Sequence, residues 1–568
     1  MSLPNDSVSL RIGVTAHKDL SAADPAVLAH QVRDIVSLLQ TQFPQLPLVI
    51  MTPLAEGGDT LVAHVALDMG IPIEIPLPMP VELYEQDFST AAALAEFRRL
   101  CQLGNVYEAP RTLVDSDCDV ALDAGNRDRL YAELGLYISA HCHILLALWD
   151  GDPSEQLGGT HSVLQYHLSG EMPQLLPAEA QSPLFAGKED GLVFHIPCPR
   201  PGSGDKNRYH GWLTHSGRYP AAVLPYYFDS AFKHMEAFNR DVQRFHRKIE
   251  SVGDSLLRGE EMGRDPFLSA ISHRYKQADW LANYFSRRVG SGLAVIHVLA
   301  MLMGFSFILY SEYERLSFLL PCFLVIFFIA WSFHRLAETR QWHRKYLDYR
   351  ALAEGLRVQF YWALIGIGPA EGAAVVYDKL MEKQVVELVW IRHVMRGVGP
   401  ACQHLAYQPF QSLEQAVQCW IGDKQSGAGQ LGYFQRASVS RAKLLKRNAL
   451  TGKMILWSGI AVAGLLLLVG DSLTDNSVTG LLVLMGMLPL IAGIREAYSY
   501  KKADRELTKQ YQSMLKTFSR ADQCIAETDD HDFKERVLLA LGEACLEEHS
   551  EWLLTHRERP LAPAGLHT

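Results

Sequence analysis

The stretch GSGLAVIHVLAMLMGFSFILY (Gly290–Tyr310), followed by SEYER (Ser311–Arg315) and LSFLLPCFLVIFFIAWSF (Leu316–Phe333), decides how this chain is organised. Each apolar arm is roughly 18–21 residues long, about the length that crosses a bilayer core as a helix. His297 is the only Asp, Glu, Lys, Arg or His within either arm. A second hairpin repeats the plan with shorter arms: Met454–Val469, the turn DSLTDN (Asp471–Asn476), then Val478–Ile494. The competing reading is a pair of buried core hairpins, because arms of roughly 16 or 17 residues stand at the lower edge of the spanning range.

Charge placement favours the membrane. Arg287 and Arg288 precede the first hairpin, and Arg335, Arg340, Arg344, Lys345 and Arg350 follow it. Arg441, Lys443, Lys446, Arg447 and Lys453 precede the second; Arg495, Lys501, Lys502 and Arg505 follow. The two turns hold only Arg315. Lys and Arg within about 15–20 residues of a span mark the cytoplasmic side. Spans near 290–310, 316–333, 454–470 and 478–494 therefore predict a multi-pass protein of the cell inner membrane with cytoplasmic N- and C-termini. A core hairpin has no physical reason to carry that asymmetry.

With 568 residues the chain has room for several domains, and a net charge of −10 with no basic stripe gives no indication of nucleic acid binding. Nine scattered cysteines without a C-x-x-C pair fit reduced cytosolic thiols better than a disulfide frame. The opening MSLPNDSVSLRIG lacks the basic region and apolar stretch of a cleavable signal peptide.

The first 200 residues alternate strand and helix patterns. Val8–Val14, Leu48–Met51, Ile71–Leu77, His143–Trp149 and Val193–Pro197 read as strands, the last of these closing the series. Pro25–Phe43, Asp59–Met69, Ala91–Gln102, Arg127–Ala140 and His161–Leu168 read as helices. Such alternation implies a doubly wound, mostly parallel sheet, in which ligands bind beyond the carboxyl ends of the strands.

Three segments fall at that edge. Gly13-Val14-Thr15-Ala16-His17 allows close backbone approach, although it is not the G-x-G-x-x-G fingerprint. Glu56-Gly57-Gly58-Asp59 starts a helix, where free N–H groups and the helix dipole suit a phosphate or a ribose hydroxyl. Trp149-Asp150-Gly151 leads to Gly158-Gly159-Thr160 at another helix start. Arg127 and Asp128 begin a helix nearby and read either as ligand contacts or as a solvated first turn. Each loop taken singly also reads as a plain strand-to-helix turn. His141-Cys142-His143 is a poor metal site, since strand neighbours point to opposite faces and no second ligand pair has suitable spacing. Asp150, His161 and Ser162 contain the residue types of a hydrolytic triad without a nucleophile elbow.

The strings GVTAHKDL (13–20), PLAEGGDTLVA (53–63), RDRLYAELGLYISAHCHILLALWDG (127–151), GGTHSVL (158–164) and VFHIPCPR (193–200) resemble, in order, the SLOG superfamily. The resemblance implies a Rossmann-like domain that binds nucleotides or nucleotide-derived ligands, needing no cofactor. Hydrolytic members carry a motif of the form P-G-G-x-G-T-x-x-E with a catalytic glutamate. Here the leading proline is missing and Val163 stands at the glutamate position, so no carboxylate follows Thr160 by one helical turn to assist bond cleavage. The domain reads as a sensor, with Gly13, Thr15, His17, Glu56, Gly57, Gly58, Asp59, Arg127, Trp149, Asp150, Gly158, Gly159 and Thr160 as candidate ligand contacts and no catalytic residue or metal.

Residues 201–270 read as a turn-rich boundary (GSGDKNRYHGWLTHSG, 202–217) and a helical arm, Tyr226–Val252, with an apolar stripe. Residues 271–450 and 451–568 form two similar membrane units: each hairpin continues into a basic helix, His334–Trp362 and Arg495–Ala521, with a period of about 160 residues. The insert Gly368–Ser426 and the acidic tail Asp529–Trp552 read as amphipathic helices that pack together. YRALAEGLRVQFYW (349–362) after a two-span hairpin resembles the SLATT family, whose members are effectors often coupled to SLOG sensors in bacterial conflict systems. The second copy is similar in layout and lacks the AEGLR string.

The expectation is an α/β Rossmann-like doubly wound domain followed by an all-α membrane part with two transmembrane hairpins and long cytoplasmic helices. In function it reads as a homo-oligomeric membrane effector that a nucleotide-derived ligand opens, with His297 as a candidate pore residue. Two alternatives stay open: a membrane-tethered nucleotide-processing enzyme, and a non-conducting membrane scaffold.

Overall fold

The computed structural model describes residues 7–110, 124–154, 156–170, 172, 191–200, 209–253, 256, 265–366, 388–398, 413–422 and 429–557. The chain divides into two compact units, Met1–Gln277 with Gly355–Gln411, and Ala278–Glu354 with Ser412–Thr568.

The first unit is built on a mixed sheet. Its strands are β1 (Leu10–Ala16), β2 (Leu48–Met51), β3 (Ile73–Leu77), β4 (Asn105–Glu108), β5 (Ile144–Trp149), β6 (Val193–Pro197), β7 (Gly211–Thr214) and β8 (Gly217–Pro220). They lie in the order β4-β3-β2-β1-β5-β6-β7-β8. β1 to β6 run parallel, with Ala16 beside Leu148 at the carboxyl ends of β1 and β5; β7 and β8 are antiparallel. Every residue of β2 and β3 is buried, the near-continuous apolar pattern expected of parallel strands covered on both faces. The covering helices are α1 (Pro25–Gln42), α2 (Gly58–Asp68), α3 (Val81–Tyr84), α4 (Ala91–Cys101), α5 (Ala124–His141) and α6 (Thr160–Ser169). α1 begins on an Asp24 side chain that accepts the Ala26 N–H, with Pro25 at its first turn.

The sheet extends past the expected last strand. β7 and β8 sit among turn-forming residues and are four residues long each, so neither shows an alternation that sequence alone can read. Trp212 anchors them, fully buried, with its ring 4.7 Å from Phe194. α7 (Tyr226–Glu250) is also an integral part of this unit. Asn239, fully buried, accepts from Val8 N and donates to Val8 O and Gln45 O, while Phe232 meets Phe43 at 5.6 Å. The apolar stripe of α7 thus closes the amino-end edge of the sheet.

α11 (Val389–Arg396) packs on the same side: Trp390 lies 6.0 Å from Phe238, and the His393 carbonyl accepts His143 Nε2 at 2.9 Å. Arg11 donates to the Gly397 carbonyl and pairs with Glu74 at 3.3 Å. This corrects the expectation that the whole insert 368–426 packs with the acidic tail, since 388–398 belong to the sheet unit. His143 Nδ1 accepts from Arg11 N, and His141 Nδ1 lies 3.2 Å from the Arg396 carbonyl. The His-Cys-His string is thus a structural joint.

Before α11 the chain runs through α8 (Pro266–Glu312), α9 (Leu319–Thr339) and α10 (Trp342–Leu364); after it come α12 (Gly429–Val469), α13 (Asp475–Lys501), α14 (Asp504–Ala526) and α15 (His531–Arg557). Four helical stretches are long and apolar enough to cross a membrane, with windows of mean hydropathy 1.8–2.3 of which 0–17 % is buried. A core hairpin would bury those windows. Phe328, Trp331, Trp457, Leu467 and Leu468 are all more than half exposed, which is stable only against lipid or other apolar surface.

Two of these helices interlock. A Cβ on Gly304 of α8 would meet Leu490 Cδ2 of α13 at 2.6 Å, and a Cβ on Gly486 would meet Ile308 at 3.4 Å. Each helix therefore offers a glycine notch and, four residues on, a branched apolar knob for the other's notch. Close approach at small residues is the usual means by which apolar helices associate where no hydrophobic force separates them from lipid.

Both expected continuations into basic helices break at matching places. Gln341, between α9 and α10, has φ 51°, and Ala503, between α13 and α14, also has φ 51°. A non-glycine residue there costs about 1 kcal/mol. Gln341 is exposed, so Gln341→Gly is expected to stabilise the protein by about 0.5–1 kcal/mol, read as a rise in thermal midpoint in detergent. Ala503 is buried, and its methyl group offsets the same gain.

Candidate functional site

Strand order reverses between β1 and β5, and it is beyond the carboxyl ends of the strands at such a point that open α/β sheets bind ligands. β1 runs on through Ala16, so Gly13 and Thr15 lie within the strand and only His17 reaches the loop. Gly13 is required by packing: a Cβ there would sit 2.6 Å from Ile138 of α5. Thr15, paired with Ala147, is buried.

The second expected loop packs against the first. Gly57 has φ 87°, and a Cβ on it would lie 2.1 Å from the Lys18 carbonyl. The Gly58 N–H donates to the His17 carbonyl at 3.1 Å, and its Cβ would strike Ala16. The glycines at the start of α2 thus let the chain approach itself, and the Gly58 amide expected to be free for a phosphate is already taken. Glu56 tethers a neighbouring loop, accepting from Ser89 N at 2.6 Å and Ser89 Oγ at 2.8 Å.

Asp59 stands apart. It is 5 % exposed at the first turn of α2, and Oδ1 has no hydrogen-bond partner. Burial pushes its carboxyl up to about 8, only partly opposed by Lys18 and by a hydrogen bond with Thr52. Near neutral pH it is an uncharged acid able to donate one hydrogen bond and accept another. Lys18 is exposed, its ammonium 5.5 Å from the centre of the Tyr131 ring. Tyr131 Oη donates to Asp87 at 2.5 Å, and Arg127 pairs with the same carboxylate at 2.6 Å and with the Leu83 carbonyl at 3.2 Å. Arg127 is therefore held by α3 and the turn after it, with its guanidinium already engaged.

Asp150 organises the other wall. Its carboxylate is 1 % exposed, accepts from Arg200 Nε at 2.6 Å and from Asp152 N at 3.1 Å, and lies 3.2 Å from His17 Nε2. Burial alone would raise this carboxyl, but the hydrogen bonds from Arg200 and Asp152 N hold it below the usual carboxylate value. His17 is held low, chiefly by burial, and is neutral; the Asp150 N–H donates to its Nε2 at 3.1 Å, which leaves its proton on Nδ1. Asp150→Ala would strand the Asp152 amide and remove the carboxylate that Arg200 and His17 pack against. The expected cost is about 2–3 kcal/mol in denaturant titration, with little effect from Asp19→Ala on the exposed loop beside it.

Trp149 is ringed by histidines, stacked on His161 at 5.7 Å and meeting His195 edge-on at 5.6 Å, with its indole N–H on the Asp152 carbonyl. Gly158 has φ 72°, and a Cβ would crowd Ala132 N at 2.9 Å. Gly159 precedes α6 without a side-chain cap, so Thr160 opens a helix whose first amides have no side-chain acceptor at the cap. Ser162 Oγ donates to the Gly159 carbonyl and His161 Nδ1 faces the Ser154 carbonyl, so the three triad residue types engage other partners.

Val163, expected to stand where a hydrolytic motif would carry glutamate, is 5 % exposed within an apolar cluster with Leu134, Ile138 and Leu145. A Cβ on Gly135 would fall 2.5 Å from a Val163 methyl, so α5 is shaped around this side chain. Lys18, Asp87, Tyr131 and Arg200 were absent from the expected set. Lys18, Tyr131 and Arg200 lie inside quoted strings; Asp87 follows a four-residue helix that carries no periodic signal. His297, the one expected residue in the membrane part, bonds Leu293 O of its own helix at 2.8 Å and meets Tyr498 at 5.2 Å. The comparisons return nothing: no protein-family model, curated protein or solved structure matches the chain.

Proposed function

We propose that this chain is a ligand-gated membrane effector: a Rossmann-like, SLOG-type sensor takes up a nucleotide-derived signal, and two SLATT-like transmembrane hairpins respond by permeabilising the bilayer, in bacterial conflict defence. The observation that carries the reading is Asp59, a buried neutral carboxyl with one bare oxygen, beside the exposed Lys18 at the carboxyl end of a parallel sheet. Perturbed groups of this kind concentrate at binding sites. A neutral acid suits a ribose hydroxyl or base edge, Lys18 suits phosphate, and the uncapped start of α6 offers backbone amides. The packed Val163 favours sensing over hydrolysis.

Both termini then lie in the cytoplasm and the hairpin turns outside, because Lys and Arg gather on one side of the four apolar stretches. The apolar arms offer little polar surface to line water, so conduction requires a homo-oligomer or separation of the paired hairpins, with His297 and Tyr498 at the parting surface.

The test is mass spectrometry of small molecules retained by the purified protein, followed by titration calorimetry with the molecule found. A retained nucleotide whose affinity falls at least ten-fold in Lys18→Gln and in Asp59→Ala is the expected result. Base or ribose release by the pure protein would favour the tethered-enzyme alternative instead. No retained nucleotide, together with no binding from a nucleotide panel, would remove the sensor reading.

A further inference from the structure

The cytoplasmic approaches to the two hairpins differ in how their charges are balanced. Around the first, most cations are engaged among the described residues, Arg287 and Arg340 excepted: Arg335 with Glu338 at 3.5 Å, Arg344 with Asp348 at 3.7 Å, and Arg350 with Asp279 at 3.4 Å. Arg288 lies over the Tyr284 and Trp342 rings, and Lys345 over Phe285. α12, which enters the second hairpin, contains no Asp or Glu in its 41 residues. Of its cations, Arg441 reaches Asp504 at 3.9 Å and sits over the Tyr511 ring. Lys443, Lys446, Arg447 and Lys453 are exposed and form no ion pair among the described residues.

These four side chains share one face. At 100° per residue they occupy about 120° of the helix circumference, over a rise of about 15 Å. Lys453 immediately precedes the apolar run, and the exposed Leu450, Met454 and Trp457 interleave with and extend the stripe. Its length matches the headgroup layer, about 5–7 Å deep, plus roughly one Debye length beyond. A solvated face carrying Leu450 and Trp457 at more than 60 % exposure would be costly in water, whereas at a bilayer edge such residues sit where aromatic and apolar groups are enriched.

We infer that the Lys443–Lys446–Arg447–Lys453 stripe is a binding surface for anionic phospholipid headgroups, which makes the second hairpin more sensitive to lipid charge than the first. This goes beyond the proposed sensor function and needs only the membrane placement of α12. Each cation near an anionic surface strengthens attraction roughly five-fold, so the four act together.

The experiment is native mass spectrometry of the full-length protein in detergent, titrated with equal mixtures of phosphatidylglycerol and phosphatidylcholine. The expected result is phosphatidylglycerol enriched at least ten-fold among the first lipids retained. Lys443→Gln/Lys446→Gln/Arg447→Gln/Lys453→Gln should abolish the enrichment, and Arg335→Gln/Arg340→Gln at the first hairpin should leave it unchanged. If the quadruple variant does not fold, Lys446→Gln/Arg447→Gln, which leaves the flanking cations to hold orientation, should cut the enrichment at least three-fold. Equal retention of both lipids by wild type, or unchanged enrichment in the stripe variants, would overturn the inference.

Discussion

Gly304→Leu is expected to lower stability by about 2–3 kcal/mol, the cost of forcing added methylenes into a filled contact. The side chain has nowhere to go, because even a Cβ would lie 2.6 Å from Leu490. In a unit of this size the thermal midpoint in detergent should fall by about 5–10 °C. Gly486→Leu should act in the same direction through Ile308 and more weakly, since its Cβ would find 3.4 Å. Exchange of knob and notch, Gly304→Leu/Leu490→Gly, should recover at least half of the loss. An unchanged midpoint in Gly304→Leu would mean that α8 and α13 do not meet at this point, and the inter-hairpin packing would have to be redrawn.

Asp59→Asn is expected to flatten the pH dependence of stability. The folded carboxyl titrates at about 8 and the unfolded one at its ordinary low value, so between them the native state holds a proton that the unfolded state has released. The stabilisation this group contributes is therefore complete in acid and is lost as pH rises towards 8. Between pH 6 and pH 8 the wild type should lose on the order of 2–3 kcal/mol from this source. The amide of the variant cannot ionise, so the variant should lose none of it and should gain on the wild type at pH 9. Urea titrations of both proteins at pH 6, 7, 8 and 9 measure the difference directly; parallel curves would show that Asp59 is ionised in the fold. Ligand affinity should carry the same signature, weakening above pH 8 in the wild type if the neutral acid donates to the ligand.

The parts of this molecule that could be read in advance are those where one physical demand dominates a long run. The apolar arms of α8, α9, α12 and α13 had to be apolar to be exposed, and β2, β3 and β5, buried except at Trp149, had to be largely apolar to be covered. β7 and β8 escaped because a four-residue strand among glycine, histidine and serine leaves no alternation to detect. The stripe on α7 was legible, but its partner was not: the residue that docks it, Asn239, is a buried amide whose three hydrogen bonds depend on chain segments far away in sequence.

At the site, glycine is ambiguous in a specific way. Gly57 and Gly58 permit close approach of a backbone, and sequence does not say whose; here it is the His17–Lys18 segment of the same chain. Asp59 was legible as a polar residue at a helix start, whereas its neutrality follows from burial that only the packed structure supplies. Val163 was legible as a missing carboxylate, and the fit of Gly135 against it adds the reason that a larger charged side chain would not return there without repacking α5.

The proposed effector couples ligand binding at the sheet edge to a change in permeability at its apolar helices. Moving such an equilibrium from about 1:99 to 99:1 requires a ligand that favours the open form by roughly 5.5 kcal/mol. The direct measurement is potassium efflux from liposomes of phosphatidylcholine and phosphatidylglycerol carrying the purified protein, before and after addition of the nucleotide that the protein retains. Efflux is expected to rise at least ten-fold with ligand, to follow the binding curve, and to disappear in Lys18→Gln. Saturated binding with no change in efflux would contradict the coupling and leave the chain a membrane-tethered binding module.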